Sequence, residues 1–552
     1  MDRDQLEYLR SKDSQKICEI LERFNKKNAN LFDFEKFHLD NLWLNLWQAI
    51  FKILNNEALE KLHVLSLNTI RILSRDRLSL QRHNIDRDVD CLLKLARLTS
   101  STSLIPETNC VDKNSADVAA ATRPDSSDEI EIHRIVEALK CLCNLVFQSA
   151  DCRRRCVRQN VADHIIRRMS STVHIPCALE LFDTKLLFLI TALESSVRSR
   201  VMIELNGLTY MTENLNEKLH SKEFNEEELD VMVELLKAMY NVISYTEKSP
   251  SENEIQNLHL TGVVRELLFR FGAMRGERER AIVSNCINLL VYVSSSCLSE
   301  LMVKWDSEIG TIRVTIFDKH NVYALDVLLN FFHLVVEELE NGVAHTDVIS
   351  PVLTVLVKCV ASNRIMRHYV RSVVLPPLKD VSQLPEVGTE LRNYLCRLQG
   401  NPDNVVRDLT YELLFLCCKK NPRRMVKHFG YGNMAGLFCK KGMLDCRRVE
   451  TDFSTDSEDS DTEEYKKNQH AINPVTGSFI TPQANPMQNM SEEEKEYHAM
   501  QLVNVIDKLH RGGLIKPCNI GDDGKLQPVD HILELQTGLI KNVDSHNIQN
   551  DN

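Results

Sequence analysis

The chain has 552 residues, a net charge of −11 and 43% hydrophobic residues, a balance typical of a protein with a sizeable core. Its 18 glycines and 15 prolines are about half the usual share, and no glycine precedes Gly207. The negative charge argues against nucleic acid as the main partner, and the missing glycines exclude a glycine-rich phosphate loop before Gly207. So few turn formers disfavour a dinucleotide fold or a β-sandwich and predict successive helices.

Residues 1–98 are predicted to form the first helical repeats, because they contain neither glycine nor proline. The opening sequence MDRDQLEYLR lacks the apolar stretch of a secretory signal, and no run reaches the length of a membrane span. We therefore expect a cytoplasmic protein without a membrane span, whose 17 cysteines are reduced thiols. Residues 99–130, rich in Ser, Thr, Asn and Pro, are predicted to be a surface loop insertion.

Residues 131–440 are predicted to continue the repeats, because one polar residue recurs in the same apolar frame. This series, the Asn ladder, comprises Asn144, Thr191, Asn241 and Asn288, at spacings of 47, 50 and 47 residues. Periods of about 40–47 residues are typical of armadillo/HEAT repeats. Asn160 and Asn206 fall at the matching turns, where a left-handed backbone is expected. The pattern predicts an all-α, armadillo/HEAT-like helical-repeat solenoid.

Two interpretations of the Asn ladder remain open. On an inner helix of a solenoid, these side chains would face the concave groove and bond a bound peptide. Alternatively, the amides are buried and satisfy groups within the solenoid itself.

No catalytic motif is present, so we expect a protein that is not an enzyme and holds no cofactor or metal. Cys141 and Cys143 lie two residues apart in a helical pattern and point about 200° apart, which favours core thiols over a zinc site. Gly430, Gly432 and Gly436 imitate a phosphate loop but follow a helix, so we predict a helix-to-helix turn there.

A run of arginines follows the first ladder frame. A solvated helix face is the expected interpretation, with binding to an anionic protein surface as the alternative. The run comprises Arg153, Arg154, Arg155, Arg158, Arg167 and Arg168.

Residues 441–490 are predicted to be an acidic, disordered linker, because residues 452–464 contain seven acids and no base. Thr455 and Ser460 each have a glutamate three residues on, the pattern that an acidophilic kinase such as casein kinase 2 prefers. We expect phosphorylation of these hydroxyls to hold the linker to a basic face. The alternative is an unmodified, solubilising segment.

Residues 491–512 are predicted to form an amphipathic helix, capped by Ser491 with Glu494 and ended by glycine. Its apolar stripe contains Met500, Val503 and Ile506. Such a helix must dock on a partner or back on its own solenoid. Residues 513–552 are predicted to be a disordered tail.

The sequence resembles the synembryn family (resistance to inhibitors of cholinesterase). The matching segments run in family order through nearly the whole chain. They are TIRILSRDR (69–77), LKCLCNLV (139–146), KLLFLITAL (185–193), VLPPLKDV (374–381), FGYGNMAGL (429–437), DTEEYKKNQHAINPVTG (461–477) and EKEYHAMQLVNVIDKL (494–509).

The resemblance implies a chaperone and guanine nucleotide exchange factor for heterotrimeric G-protein α subunits. Such a protein binds GDP-bound or nucleotide-free Gα without βγ, promotes GDP release and holds the empty state until GTP binds. The family also implies recruitment to the cell cortex and plasma membrane, and roles in synaptic transmission, cortical force and spindle positioning. The alternative is a solenoid adaptor that does not change nucleotide state.

The resemblance also implies contact residues. The groove that captures the Gα C-terminal helix would contain Arg71, Arg75, Asn144, Phe188, Asn241 and Tyr245. Met500, Val503 and Ile506 would contact the nucleotide domain of Gα.

Overall fold

The computed structural model describes residues 3–10, 13–101, 126–171, 175–245, 254–305, 313–378, 381–444, 462–479, 490–520 and 525–529. The chain divides into two compact units, Met1–Val314 and Thr315–Asn552. Both units are built mainly from α-helices, which confirms the predicted all-α class. In the described part of the chain, no helix combines the length and apolarity needed to cross a bilayer.

The described residues of the first unit form helices joined by short turns, with one two-residue strand, β1 (Val303–Lys304). The helices are α1 (Arg3–Leu9), α2 (Ser14–Asn28), α3 (Glu35–His38), α4 (Leu42–Leu54), α5 (His63–Leu73), α6 (Arg77–Arg82), α7 (Asp86–Leu95), α8 (Ser126–Gln148), α9 (Ala150–Arg158), α10 (Val161–Met169), α11 (Cys177–Leu193), α12 (Ser195–Ser199), α13 (Gly207–Leu219), α14 (Glu226–Ile243), α15 (Glu254–Phe271) and α16 (Glu277–Tyr292).

The described residues of the second unit add further helices and short strands. The helices are α17 (Tyr323–Glu340), α18 (Ile349–Ser362), α19 (Arg364–Val374), α20 (Leu391–Leu398), α21 (Asn404–Cys417), α22 (Pro422–Lys441), α23 (Glu463–Asn468) and α24 (Glu492–Arg511). The strands form antiparallel pairs: β2 (Ile316–Phe317) with β3 (His320–Asn321), β4 (Ile472–Asn473) with β5 (Ser478–Phe479), and β6 (Cys518–Ile520) with β7 (Leu526–Pro528).

The helices of the first unit stack in two layers. We name α5, α8, α11, α14 and α16 the ladder helices; each packs against the next. Helices α10, α13 and α15 form a second layer and pack on α11, α14 and α16, respectively. The core lies between the layers, where ladder-helix leucines such as Leu142, Leu187 and Leu236 are fully buried. This stacking confirms the predicted helical-repeat solenoid.

Asparagines mark equivalent turns before the second-layer helices. Asn160 (φ 52°) and Asn206 (φ 50°) adopt the left-handed conformation directly before α10 and α13, as the sequence predicts. Gly207 then begins α13 beside Val201, and a Cβ atom at Gly207 would lie 2.5 Å from Val201 Cγ1. The turn therefore needs Asn206 for its left-handed backbone angle and Gly207 for close packing against Val201.

The C-terminal region differs from its predicted organisation. Within the range predicted as linker, α22 extends to Lys441, and residues 462–479 form α23 and the β4–β5 hairpin. A second hairpin, β6–β7, lies in the predicted tail. Residues 462–479 bond to remote backbone groups, including Leu378 O and Val381 O, which composition does not reveal.

The three-glycine segment contains the predicted break between two helical stretches, with positive φ at Gly430. It lies inside α22, where Gly430 alone interrupts the helix with φ 75° and ψ 153°. Gly432 and Gly436 continue in the second half of α22.

Candidate partner-binding face

The Asn ladder joins neighbouring ladder helices through the amide nitrogen. Asn144 Nδ2 donates to Arg71 O and Ser74 Oγ, both at 3.1 Å. Asn241 Nδ2 makes the same pair of bonds on α11, to Phe188 O at 3.2 Å and Thr191 Oγ1 at 3.1 Å. These amide donors are therefore used within the stack, in agreement with the interpretation that the ladder satisfies its own solenoid.

The two arginines of the predicted groove have different surroundings. Arg75 donates to Ala29 O at 2.8 Å and Leu31 O at 3.2 Å, and its guanidinium lies 5.1 Å from the Phe32 ring centroid. Burial, together with the nearby Arg71, lowers the pKa of Arg75. Arg75 is thus bound to the end of α2, where it satisfies carbonyls that no helix partner reaches.

Arg71 is held by side chains rather than by backbone carbonyls of another helix end. Its Nη2 donates to Asn68 Oδ1 at 2.7 Å, and its Nε lies 3.7 Å from Glu137 Oε2. The side chain is one-third exposed. A partly exposed guanidinium held by neighbours on its own surface is preorganised to receive a carboxylate.

Beside Arg71, a repeated frame places two lysines over phenylalanines of α11. Lys140 Nζ lies 5.0 Å from the Phe182 ring centroid, and Lys237 Nζ lies 5.7 Å from that of Phe188. Each lysine also bonds the glutamate one turn earlier, Glu137 at 2.7 Å or Glu234 at 3.2 Å. Cation–π contacts and ion pairs together fix both ammonium groups on the surface of α11.

Tyrosines continue this surface on α14 and α16. The rings of Tyr240 and Tyr292 meet edge to face with centroids 5.5 Å apart, and the hydrogen bond between them is the main cause that raises the pKa of Tyr292. Tyr292 is 43% exposed, and Tyr245 follows the end of α14 with 41% exposure. On α8, Phe147 occupies the corresponding C-terminal end and is 61% exposed.

We name the surface formed by these side chains the ladder face. It comprises Arg71, Lys140, Phe147, Phe182, Phe188, Lys237, Tyr240, Tyr245 and Tyr292. It combines exposed or half-buried aromatic rings with cations that are paired to glutamates, and aromatic residues are enriched in protein-binding surfaces. Among the predicted groove residues, the structure brings Arg71 to Asn144 and Phe188 to Asn241.

Sequence reasoning missed Lys140, Lys237, Tyr240 and Tyr292. The signal that could have found the lysines is the frame Glu-x-x-Lys-x-x-x-Asn, which occurs at residues 137–144 and again at 234–241. The spacing places glutamate and lysine one helical turn apart and asparagine one turn further on.

The C-terminal helix begins and ends at the predicted caps. Ser491 and Glu494 form the reciprocal capping box of α24, and Gly512 is its C-cap. No residue of α24 is buried: Met500 is 66% exposed, and Val503 and Ile506 are half-buried. An apolar stripe that is exposed or only half-buried is suited to contact with another surface.

Three members of the arginine run bond to neighbouring helices. Arg155 bonds Asp90 through both Nε (2.8 Å) and Nη2 (2.6 Å), and the buried Arg168 holds both carboxylate oxygens of Asp183. Arg153 donates to Val146 O at 2.9 Å. The prediction of a solvated face is therefore wrong for Arg155 and Arg168, because each has a carboxylate partner on a neighbouring helix.

The two cysteines of α8, Cys141 and Cys143, are core groups. Cys141 donates to Leu67 O on one neighbouring helix and Cys143 faces Phe182 O on the other, as their predicted opposite directions require. Burial raises the pKa of Cys143 to about 12. Within the described ranges, no group of three or more His, Cys, Asp or Glu side chains is placed to hold a metal ion. Thr455 and Ser460 lie outside the described residues.

The fold and its surface define a helical-repeat protein, and comparisons with known proteins specify its family. A family profile described as "Guanine nucleotide exchange factor synembryn" matches residues 66–525. "Chaperone Ric-8" of Drosophila melanogaster is 50% identical over 565 residues, covering 98% of this chain and 98% of that protein. "Chaperone Ric-8A" of Xenopus laevis is 32% identical over 566 residues, covering 99% and 98%.

A designed armadillo repeat protein of known structure is 11% identical, covers 53% of this chain and 95% of its own, and has a TM-score of 0.32. The two long alignments and the family profile agree with the resemblance found in the sequence. The chain belongs to the synembryn family of guanine nucleotide exchange factors.

Proposed function

We propose that this protein is a chaperone and guanine nucleotide exchange factor for heterotrimeric G-protein α subunits. It binds Gα free of βγ, in the GDP-bound or nucleotide-free state. The ladder face, an aromatic and cationic surface on rigid stacked helices, is the observation that supports this proposal most directly. Membership of an exchange-factor family supports this class of partner.

In the proposed complex, the C-terminal helix of Gα lies on the ladder face. Apolar side chains of that helix pack on Phe188 and the tyrosines, and a carboxylate pairs with Arg71. Asn144 and Asn241 act indirectly, because their amide groups fix the ladder helices beneath. Arg75 likewise supports the surface through the end of α2.

The second contact is made by α24. Met500, Val503 and Ile506 pack on the nucleotide domain of Gα while the ladder face holds its C-terminal helix. Withdrawal of that helix loosens the guanine pocket, so GDP leaves and the empty state persists until GTP binds. This exchange requires differential binding of two conformations and no covalent step.

Regulation and location complete the proposal. Thr455 and Ser460 are substrates of an acidophilic kinase such as casein kinase 2, and the added charge acts on basic surfaces of the helical repeats. The protein is cytoplasmic and reaches the cell cortex through Gα.

The decisive test measures both Gα binding and GDP release from purified Gα, with the parent protein and with Arg71→Glu. We expect the parent to accelerate release and Arg71→Glu to weaken Gα binding by about tenfold, since a favourable charge pair becomes repulsive. Arg154→Glu is the matched control, because Arg154 is 57% exposed and forms an ion pair with Asp151 on the same helix.

Two results would contradict the proposal. Binding of Gα without any change in GDP release at saturating protein supports the adaptor alternative. Equal loss of binding in Arg71→Glu and Arg154→Glu would show that the ladder face does not contact Gα.

A further inference from the structure

Phe32 is an aromatic side chain that lies outside the core of the first unit. It is 78% exposed, compared with 61% for Phe147 on the ladder face. Single exposed hydrophobic residues are common on protein surfaces. Phe32 differs from such a residue because the segment that carries it and the cation beside it fix the position of its ring.

The segment around Phe32 is anchored on both sides, between α2 and α3. Before it, the Leu31 amide donates to Asn28 O at 3.0 Å. After it, Phe34 and Phe37 are buried, with ring centroids 6.0 Å apart. The core therefore contains the two later rings, while Phe32 lies on the surface in a segment that is fixed at both ends.

Arg75 holds the ring of Phe32 in place. Its Nη1 donates to the two carbonyls that precede the ring, Ala29 O at 2.8 Å and Leu31 O at 3.2 Å. The guanidinium lies 5.1 Å from the ring centroid, which is a cation–π contact. One side chain thus binds both the backbone before Phe32 and the ring itself, so the ring loses little freedom when a partner covers it.

Arg75 also places Phe32 beside the ladder face. It follows Arg71 by four residues, about one helical turn, just past the end of α5. The charge of Arg71 contributes to lowering the pKa of Arg75, so the two guanidinium groups are near each other. Phe32 therefore borders the ladder face at its α5 end and adds one more aromatic ring to it.

We propose that Phe32 is a further contact residue for Gα and that Arg75 acts on binding by positioning this ring. The inference rests on the proposed function, in which the C-terminal helix of Gα lies on the ladder face. An apolar side chain of that helix packs on Phe32, close to the carboxylate that pairs with Arg71. A preorganised aromatic ring beside a charge pair is the kind of group that carries a large share of binding energy. This role of Arg75 differs from the direct groove contact that the family resemblance implies.

Substitution of the ring tests the contact. Gα affinity is measured with the full chain and with Phe32→Ser, which should weaken binding about tenfold. Phe32→Tyr keeps the ring and should bind within about twofold of the parent. Tyr8→Ser is the matched control and should bind like the parent, because Tyr8 is also exposed (47%) beside a cation, Lys16, but lies on α1. Equal affinities of Phe32→Ser and Tyr8→Ser overturn the proposal.

A double-mutant cycle tests the positioning role of Arg75. Arg75→Gln should weaken Gα binding about fivefold in the parent but less than about twofold in Phe32→Ser, since its effect is transmitted through the ring. An equal loss in both backgrounds would show that Arg75 contacts Gα directly and would overturn the positioning role. Because Phe32 is exposed, Phe32→Ser should leave the urea midpoint of unfolding unchanged. A lower midpoint would assign the ring to folding and overturn the contact.

Arg71→Glu separates failure of this inference from failure of the proposed function. If Arg71→Glu weakens Gα binding while Phe32→Ser does not, the ladder face remains the Gα contact and only the role of Phe32 is overturned. If Arg71→Glu binds Gα as the parent does, the ladder face is not the contact, and the roles of Phe32 and Arg75 are overturned together with it.

Discussion

Arg168 shows how a single side chain joins three parts of the first unit. Its Nη1 lies 2.9 and 3.1 Å from the Asp183 carboxylate oxygens, and its Nη2 donates to Ala96 O and Arg97 O at 3.1 and 2.9 Å. Burial raises the pKa of Asp183 to about 6, while the Arg168 charge opposes that rise. The guanidinium therefore neutralises the charge of a buried carboxylate and also donates hydrogen bonds to the carbonyls that follow α7.

We predict that Arg168→Met lowers the free energy of unfolding by about 3 kcal/mol at pH 7.5. The loss should be smaller at pH 5. Without Arg168 the pKa of folded Asp183 rises further above its unfolded value, so the folded state binds the proton more tightly and stability falls as pH increases. Urea unfolding at both pH values measures this effect.

Arg154→Met serves as the control for Arg168→Met, since Arg154 makes an exposed pair on its own helix. Its change should stay below about 0.5 kcal/mol at either pH. An Arg168→Met variant as stable as the parent at pH 7.5 would show that Asp183 is accommodated without its partner.

These residues also show why the sequence predicted the repeats better than the charge contacts. The Asn ladder is visible because its frame repeats along the chain. The partners of Arg155 and Arg168 lie 65 and 15 residues away, at distances unrelated to the repeat period. A pattern within one segment could therefore suggest a solvated basic face but could not identify the carboxylates that cover it.

At the scale of elements, three helix ends are closed by an arginine from the next helix. Arg153 donates to Val146 O, Arg198 to Thr191 O and Arg367 to Val360 O, at 2.9, 2.5 and 2.8 Å. Each arginine follows its acceptor by seven residues. The last carbonyls of a helix have no partner in that helix, and a cation there also complements the helix dipole.

We predict that Arg198→Ala destabilises the first unit by about 1–2 kcal/mol, because Arg198 bonds both Thr191 O and Ala192 O. Thermal or urea unfolding measures the change. The exposed Arg158 provides the comparison, and Arg158→Ala should have almost no effect. Equal stability of the two variants would show that water replaces the arginine without cost.

Element prediction succeeded where the signals are local. The ends of α24 follow from Ser491, Glu494 and Gly512, all within or beside the helix. The β4–β5 hairpin was missed, because its acceptors and donors are matched with α22 and with Val381, far away in sequence. A short polar segment carries no periodicity from which such docking could be predicted.

At the scale of the whole molecule, both units contain buried thiols. Burial raises the pKa of Cys143 in the first unit and of Cys417 in the second to about 12. Both are therefore thiols at pH 8, shielded from reagents as well as protonated. The sequence predicted one continuous solenoid, because repeats that stack on their neighbours can extend past 400 residues.

We predict that a thiol reagent at pH 8 modifies the exposed Cys439 at least a hundredfold faster than Cys143 or Cys417. Mass spectrometry of the labelled peptides measures the rates. Repetition at rising urea concentration should release the two buried thiols only as their own units open. Rapid native labelling of Cys143 would contradict its assignment to the core.

The direction of the Asn ladder has a consequence for synthesis of the chain. Asn144 and Asn241 are donors on later helices, and their backbone acceptors belong to earlier ones, Arg71 and Phe188. Both carbonyls accept from a hydroxyl three residues later in the chain, Arg71 O from Ser74 Oγ and Phe188 O from Thr191 Oγ1, before the later helix arrives. When a nascent chain emerges one repeat at a time, the acceptors of each asparagine amide are therefore synthesised before the amide itself. Each completed repeat then presents these acceptors to the repeat that follows.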